Sequence, residues 1–429
     1  MKERIIACLR RIHVCYWRIL HLYIGVRINI YSIRRRYTKV LDRIKRNRGR
    51  KPIKVLFLVS NSAKWKAQSV FNLMSKTDRY LPFIALTLQD QELTFDEKRR
   101  QEQLQELKDF FSTKGMATLQ AYSSENFMPI TLRDFAPDVI FYQTPWNVSS
   151  VQSPEKVSKY ALTSYVPYFV QNYGNLTMDC CEPFHRYLWR HYTLNDYWAR
   201  EFMNVQDATA GRAGKVVGTG HPMLDMLSDI SKTVHNNDTV IYAPHWSCGI
   251  GECYSTFHKV GLKMLEFAQH HTEIKWIFKP HPTLRKVLTD EKIMTEDEAQ
   301  SYYTAWERLG NVCYGGGYES YFEDSAAMIT DCGSFLVEYA CTGRPIIHLI
   351  SSDAKFAPHP ISKVLFDTYY KAKGWDEFCK IFQDVVINGN DYLRERRLQK
   401  VKEMNLSGSN AARKIVNDLD REIGIESYK

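Results

Sequence analysis

The sequence predicts an α/β protein with two Rossmann-like lobes, each built on a parallel sheet, behind a basic N-terminal helical arm. Three observations lead to this fold class. The chain has 429 residues, which suits two domains better than one core. Short apolar runs alternate with longer helical patterns, as they do in βαβ units. These runs fall into two series, and a dense group of arginines precedes them.

The predicted strands are short, continuous apolar runs with many β-branched residues. Such runs are typical of parallel strands that are buried on both faces. The predicted helices between them cover 96–113, 256–271, 334–342 and 375–388. The predicted strands cover 53–59, 83–88, 139–142, 164–169 and 192–194 in the first series, and 240–243, 276–278, 312–314, 327–330 and 345–349 in the second.

A break in the pattern near residues 215–235 separates the two series. Gly218, Gly220 and Pro222 interrupt the apolar runs there, and a polar stretch follows. The last part of the chain is highly charged and helical in pattern. The predicted domains are a membrane-associating arm over 1–51, a first lobe over 52–214, a second lobe over 215–375 and C-terminal helices over 376–429.

The net charge of +10 is concentrated at one end of the chain. Residues 1–54 hold seventeen lysines and arginines and two acids, so the remainder is acidic overall. A nucleic-acid-binding body usually carries its positive charge within the fold, and we therefore expect no nucleic-acid partner. The ten cysteines form no pair of CxxC units, which argues against a zinc site and favours a reducing compartment.

The arm over residues 1–51 combines basic and apolar side chains at helical spacing. Arg4, Arg11 and Arg18 recur every seven residues, with isoleucines, leucines and aromatic residues around them. Its longest stretch between arginines, residues 19–26, is too short to span a bilayer. We therefore expect the arm to lie on an anionic membrane surface, which makes the protein peripheral at the cytoplasmic face. The alternative is a helical hairpin that docks on the protein itself.

Polar residues follow three strands of the second series at the point where each strand ends. Ligands of open parallel sheets bind beyond the carboxyl ends of the strands, so these residues form the predicted site. Chance explains one such placement more easily than three in one lobe. The predicted catalytic residues are His245, His281, Asp331 and Ser334, and the predicted donor-binding residues are Lys279, Arg285, Gly333 and Glu338.

These residue types favour the binding of an anion such as a diphosphate. Lys279, His281 and Arg285 supply positive donors, and Gly333 allows the backbone to approach a ligand closely. Ser334 stands at a predicted helix start, where free amide groups and the helix dipole attract negative charge. The alternative for Ser334 is a helix cap alone, which contributes about 1 kcal/mol.

Other residues of the predicted site also have ordinary structural interpretations. Glu338, one turn into the helix, is expected to accept hydrogen bonds from a ribose or polyol hydroxyl, or else to pair with Arg344. His281 lies between two prolines and has a second interpretation as a turn residue. His245 has a second interpretation as a rim histidine that stacks on Trp246.

The first lobe supplies the opposite wall of the predicted cleft. Asn61 follows its first strand, and Gln171 and Tyr173 follow the predicted strand over 164–169. By the same strand-end rule, these residues face the acceptor. Ordinary loop structure is the alternative for each of them taken singly.

With these motifs the chain resembles the CDP-glycerol glycerophosphotransferase family, the teichoic-acid and capsule polyol-phosphate transferases. Residues 242–246 (YAPHW) are similar to the family's YAPTW, and residues 279–282 (KPHP) are similar to its HP motif. Residues 331–347, from DCGS to GRPII, are similar to its SDYSS block. Residues 218–225 are similar to the entry of its second lobe.

The resemblance is good over 215–350 and faint over 52–214, and it implies a GT-B-like fold that uses no metal and no cofactor. It implies transfer of glycerol phosphate, or another polyol phosphate, from a CDP-linked donor. The implied acceptor is a cell-surface glycan or a lipid-linked molecule in teichoic-acid or capsular polysaccharide synthesis. The residues that the resemblance assigns to the donor phosphates are His281, Asp331, Ser334 and Glu338.

One segment departs from the family pattern. The family's QxWHG segment carries a histidine proposed as the base, whereas residues 171–174 read QNYG, with Tyr173 in its place. An unperturbed tyrosine is a poor base at neutral pH, so His185, Asp196 and His245 are the candidate bases. Two other functions stay open: a GT-B glycosyltransferase that uses a UDP- or CMP-sugar, and a non-catalytic nucleotide-binding scaffold of a polysaccharide complex.

Overall fold

The protein contains two parallel sheets, which confirms the predicted α/β fold class with two Rossmann-like lobes. Helices connect successive strands in both lobes. The computed structural model describes residues 26–170, 183–210, 215–227, 238–251, 253–314, 317–331, 333–355, 357–406 and 410–425.

The sheet of the first lobe has seven described strands. These are β1 (Ile53–Val59), β2 (Tyr80–Leu86), β3 (Thr118–Gln120), β4 (Val139–Tyr142), β5 (Leu162–Tyr165), β6 (Arg190–Thr193) and β7 (Val216–Gly218). Their order is β3-β2-β1-β4-β5-β6-β7, and all neighbours are parallel. The order reverses between β1 and β4, where doubly wound sheets open a binding crevice.

The sheet of the second lobe has six described strands, in an order of the same kind. These are β8 (Thr239–Ala243), β9 (Lys275–Phe278), β10 (Asn311–Val312), β11 (Ala327–Thr330), β12 (Ile346–Leu349) and β13 (Tyr370–Ala372). Their order is β10-β9-β8-β11-β12-β13, again all parallel. The order reverses between β8 and β11, so the second crevice opens there.

Fifteen α-helices lie within the described ranges. In chain order they are α1 (Val26–Asn47), α2 (Gln68–Ser75), α3 (Glu97–Thr113), α4 (Pro154–Val157), α5 (Asp196–Ala210), α6 (Pro222–Leu227), α7 (Phe257–His270), α8 (Leu284–Asp290), α9 (Glu296–Leu309), α10 (Glu319–Asp324), α11 (Phe335–Glu338), α12 (Pro360–Phe366), α13 (Trp375–Phe382), α14 (Arg394–Glu403) and α15 (Ala411–Ile423). None of these helices combines the length and the hydropathy of a membrane span.

Helix α1, the described part of the predicted arm, packs on the first lobe. Ile33, Tyr37 and Ile44 are buried in the same apolar core as residues of α2 and α15. The hydroxyl oxygen of Tyr37 lies 2.7 Å from that of Thr163 in β5. Helix α1 therefore docks on the protein itself, which is the alternative interpretation of the arm. The preceding residues of the arm lie outside the described ranges.

The C-terminal helices are divided between the two lobes. In α14, Arg397 donates to the carbonyl oxygen of Gly343 in the second lobe at 3.0 Å. Helix α15 returns to the first lobe, where Asp418 pairs with the buried Arg190 at 2.8 Å. Because α15 crosses back, residues 376–429 do not form a separate unit but tie the lobes together.

The connection between the lobes caps this returning helix. The carboxylate of Asp225 in α6 accepts hydrogen bonds from the backbone N–H groups of Ala411 and Ala412, both at 2.8 Å. A carboxylate at a helix start satisfies free amide groups and interacts favourably with the helix dipole. The strand β7 also belongs to the first sheet, so the first lobe extends to Gly218, past the boundary predicted at 214.

Candidate active site between the lobes

Three loops of the second lobe meet around one cavity of about 90 Å³. The loops follow β8, β9 and β11, the strands on which the predicted site depends. The first two loops are joined where the backbone N–H of His281 donates to the carbonyl oxygen of Pro244 at 3.0 Å. The predicted site residues that line this cavity are His245, Lys279, His281, Gly333 and Ser334.

The two histidines of the cavity lie close together, and burial disfavours the charged form of each. Their ring centroids lie 5.3 Å apart. Nδ1 of His281 accepts from the backbone N–H of Thr283 at 3.2 Å, whereas Nδ1 of His245 lies 2.8 Å from the hydroxyl oxygen of Ser247 and 3.3 Å from its backbone nitrogen. A neutral imidazole that accepts at Nδ1 carries its proton on Nε2. Burial lowers the pKa of His245 to about 3 and that of His281 well below its usual range.

Gly333 and Ser334 bring the backbone close to His245. Gly333 has a φ of +85°, in the left-handed region that favours glycine, and a Cβ atom there would lie 3.9 Å from Cδ2 of His245. Ser334 stands at the N-cap position of α11, but its side chain makes no capping hydrogen bond. Its hydroxyl is therefore not used by a helix cap.

Asp331 positions the loop that carries His245. Its Oδ1 atom accepts from the backbone N–H of His245 at 2.7 Å, and its Oδ2 atom accepts from the backbone N–H of Thr256 at 2.7 Å. The hydroxyls of Thr256 and Ser255 complete this set. Burial raises the pKa of Asp331 to about 6, although these hydrogen bonds oppose the rise. Asp331 does not line the cavity, so its contacts are those of a positioning residue.

Lys279 places a buried positive charge at the cavity. The residue is only 5% exposed, and its ammonium group makes no hydrogen bond or ion pair with any described residue. Its Nζ atom lies 5.8 Å from the ring centroid of Tyr318. Burial lowers the pKa of Lys279 and the charge of Lys66 lowers it further, whereas Cys313, Glu338 and Glu319 act to raise it. A buried cation without an anionic partner is costly, and a bound anion would remove that cost.

Two lysines of the first lobe extend this positive charge across the cleft. Lys64 and Lys66 follow β1, beside the crevice between β1 and β4. The Nζ atom of Lys66 donates to the hydroxyl of Tyr318 in the second lobe at 2.6 Å. Burial lowers the pKa of His281 most, and the charges of His245 and Lys279 follow. Lys64 lies close enough for its charge to lower this pKa as well. The cleft therefore brings together cations from both lobes.

Tyr318 connects Lys66 to Glu338. The hydroxyl of Tyr318 donates to Oε2 of the fully buried Glu338. The other carboxylate oxygen of Glu338, Oε1, has no hydrogen-bond partner within the described part of the chain. Arg344, the alternative partner of Glu338, instead donates to two backbone carbonyl groups. Glu338 thus supplies a negative charge beside the lysines without lining the cavity.

Two predicted site residues make structural contacts outside the cavity. The Nη2 atom of Arg285 pairs with Glu296 of α9 at 2.7 Å and donates to Gln300 at 3.0 Å. Oδ1 of Asn61 accepts from the backbone N–H of Ala63 at 2.8 Å, which is a local turn contact. Arg285 therefore lies on a helix surface, where the acids of α9 attract it.

The candidate bases lie in different places. His185 is buried in the first lobe with its ring 5.2 Å from that of Phe184, and Asp196 begins α5 at an exposed position. Of the three candidates, His245 alone lines the cavity. Gln171 and Tyr173 lie outside the described residues. Where the structure describes the chain, no cluster of His, Cys, Asp and Glu side chains could hold a metal ion.

Fold and cleft together define a GT-B-like protein whose two Rossmann-like lobes enclose a cationic site. Sequence reasoning found the second-lobe residues of this site because they follow strands directly. It missed Lys66 and Tyr318, because these residues are 252 positions apart and meet only when the lobes come together. The one available signal was the position of Lys66 shortly after the first strand.

Comparisons with known proteins agree with this fold. No protein-family model and no curated protein matches the sequence. The UDP-GlcNAc 2-epimerase from Neisseria meningitidis, solved with UDP-GlcNAc, is 15% identical, with a TM-score of 0.53 over 86% of this chain and 100% of its own. MnaA from S. aureus, solved with UDP, is 13% identical, with a TM-score of 0.53 over 88% of this chain and 98% of its own.

A polymerase of a cell-wall polymer shares the fold as well. The wall teichoic acid polymerase TagF is 12% identical, with a TM-score of 0.52 over 92% of this chain and 98% of its own chain in the solved structure. At these identities the likeness establishes a GT-B-like fold and nothing finer. The chain is therefore similar in architecture both to enzymes named for UDP-GlcNAc and to a teichoic-acid polymerase.

Proposed function

We propose that this protein is a transferase that binds a nucleotide-linked donor in the cleft between its lobes. The observation that carries the proposal is Lys279, a buried ammonium group without a hydrogen-bond or ion-pair partner among the described residues. A diphosphate at this position would meet Lys279, the Ser334 hydroxyl and the Nε2–H group of His281. Charge-assisted hydrogen bonds of this kind are the strong ones in proteins.

The favoured donor is CDP-glycerol or another CDP-linked polyol. The motif resemblance supports this choice, and the shared fold of the wall teichoic acid polymerase TagF is consistent with it. In the proposed reaction, a hydroxyl of a glycan or lipid-linked acceptor attacks the phosphorus that carries the polyol. The new P–O bond forms as the bond to CMP breaks, and CMP leaves with the electron pair.

The chain's own residues supply electrostatic stabilisation in this reaction. Negative charge develops on the leaving CMP phosphate, and preorganised cations and N–H donors lower the barrier most where charge develops. His245 is the candidate base that lies in the cavity. Its pKa is low in the free protein because of burial, and a bound anion beside it raises that pKa towards a useful range.

The second candidate is a glycosyltransferase that uses a UDP- or CMP-sugar. The likeness to MnaA solved with UDP and to an epimerase solved with UDP-GlcNAc favours this candidate. The leaving group separates a UDP-sugar donor from a CDP-polyol donor. A CDP-polyol donor releases CMP when polyol phosphate is transferred, whereas a UDP-sugar donor releases UDP.

The test incubates the purified protein with CDP-glycerol, CDP-ribitol, CMP-sugars or UDP-GlcNAc, together with glycan and lipid-linked acceptors, and measures CMP and UDP. We expect CMP release from a CDP-polyol that depends on the acceptor. Release from a nucleotide sugar alone identifies the glycosyltransferase. No release from any donor favours the non-catalytic scaffold, and 2-epimerisation of UDP-GlcNAc without acceptor contradicts a transferase.

A further inference from the structure

Helix α1 carries an exposed basic surface on the side that faces away from the first lobe. Asp42 is the only acidic residue of this 22-residue helix. No basic residue of this surface has an ion-pair partner within the described ranges, and each is exposed. We call this surface the basic face, and it consists of Arg34, Arg35, Lys39, Lys45 and Arg46.

The apolar side of α1 is already used by the protein. Ile33, Tyr37, Val40 and Ile44 are each 4% exposed or less and pack in the core of the first lobe. A helix inserts into a bilayer through an exposed apolar side, and from Ile33 to Asn47 α1 offers none. A partner of this part of α1 therefore meets a row of cations, not an apolar stripe.

The position of α1 separates the basic face from the cleft. Tyr37 donates to the carbonyl oxygen of Tyr187, which precedes β6, and Arg43 pairs at 3.0 Å with Asp138, which precedes β4. The helix then ends at Asn47, shortly before β1. These contacts all lie at the amino ends of strands, whereas the cleft lies at their carboxyl ends. A partner on the basic face would leave the cleft open.

We propose that the basic face docks the protein on the anionic headgroups of a lipid bilayer by charge, without insertion of the buried side of α1. Lysines and arginines near an anionic membrane surface are attracted to it individually, and the attraction acts within about one Debye length of ~8 Å. The chain beyond residue 54 is acidic overall, so the rest of the surface is repelled by the same headgroups. This uneven distribution of charge therefore favours the orientation in which the basic face lies against the membrane.

The proposal is tested with full-length protein and vesicles of phosphatidylcholine with or without phosphatidylserine. The test variant combines Arg34→Gln, Arg35→Gln and Lys39→Gln, which removes three charges and leaves the buried side of α1 intact. Each charge near the membrane surface raises the binding constant about fivefold, so we expect the variant to bind anionic vesicles at least about tenfold more weakly. Binding of the wild-type protein should also fall as salt is added.

A matched control combines Lys98→Gln, Lys286→Gln and Lys363→Gln, three exposed lysines away from α1. It changes the net charge equally, and we expect it to bind anionic vesicles as the wild type does. An equal loss of vesicle binding in the two variants shows an effect of net charge alone and overturns the proposal. Unchanged vesicle binding of the test variant also overturns it. The proposal is overturned as well if the wild-type protein does not bind anionic vesicles but binds RNA. Donor-dependent nucleotide release should be the same in all three proteins, because none of the changed residues lies in the cleft.

Discussion

At the residue scale, the cleft is defined by polar groups that the fold has not satisfied. The Lys279 ammonium group has no hydrogen-bond or ion-pair partner among the described residues, and the half-buried Ser334 side chain makes no capping bond. Buried polar groups are normally paired, so a buried site with free donors indicates a ligand. Asp331 is the opposite case, because both of its carboxylate oxygens accept hydrogen bonds from loops of its own lobe.

Ser334→Ala separates a ligand-binding role from a structural one. A helix cap lost to alanine costs about 1 kcal/mol of stability, but Ser334 makes no capping bond. We therefore expect unchanged thermal stability together with at least about a tenfold loss of donor turnover, which corresponds to about 1.4 kcal/mol. His281→Ala should reduce turnover similarly. Wild-type turnover in both variants would remove these residues from the active site.

Nucleotide binding should also take up protons in the pH range where Lys279 of the free protein loses its charge. Burial lowers the pKa of Lys279 in the free protein, and a bound diphosphate raises it again. Between these two values the free lysine is partly neutral and the bound lysine is charged. Affinity should therefore fall as pH rises through this range. Calorimetry in buffers of different ionisation enthalpy measures the uptake, and no uptake at any pH up to the ordinary pKa of lysine would contradict binding of the diphosphate at Lys279.

At the element scale, the strand ends of the second lobe carry most of the predicted site. The strands β1, β4 and β11 begin and end at the residues that the apolar runs predict. Short strands such as β3 were not predicted, because three partly exposed residues form no apolar run. Helix α9 was also missed, although its capping box of Thr295 and Glu298 is visible in the sequence.

The sequence could not predict contacts that depend on the meeting of distant elements. Arg285 follows the right strand, but it lies on α8, where Glu296 of the next helix pairs with it. The pairing of Lys66 with Tyr318 requires both lobes to be assembled. Strand-end position therefore predicts which loops form a site, whereas the direction of each side chain depends on neighbours that are remote in sequence.

The Asp225 cap of α15 is the clearest link between two elements of different lobes. Asp225→Ala leaves two amide groups of α15 without their acceptors and should cost about 1 kcal/mol. Asp96→Ala is the matched control, since Asp96 caps α3 within the first lobe alone. Hydrogen exchange should rise in α15 only in the Asp225 variant. Equal exchange in α15 of both variants would contradict a role for Asp225 in holding the returning helix.

At the scale of the whole molecule, two groups of cations lie in separate places of the described structure. The basic face lies on α1 at the amino ends of the first-lobe strands, and the cleft lies at the carboxyl ends of both sheets. Helix α15 and the Lys66–Tyr318 contact hold the lobes around the cleft. This arrangement allows a surface contact and a nucleotide to be bound independently by one chain.

The most direct test of the central claim is a calorimetric titration of CDP and UDP into the wild-type protein and the Lys279→Met variant. We predict that at least one nucleotide binds the wild type, and that the variant binds it at least about tenfold more weakly, which is about 1.4 kcal/mol. Lys286→Met, which removes an exposed lysine of α8, should bind as the wild type does. Failure of both nucleotides to bind the wild type, or equal affinity in the Lys279 variant, would contradict a diphosphate site in the cleft.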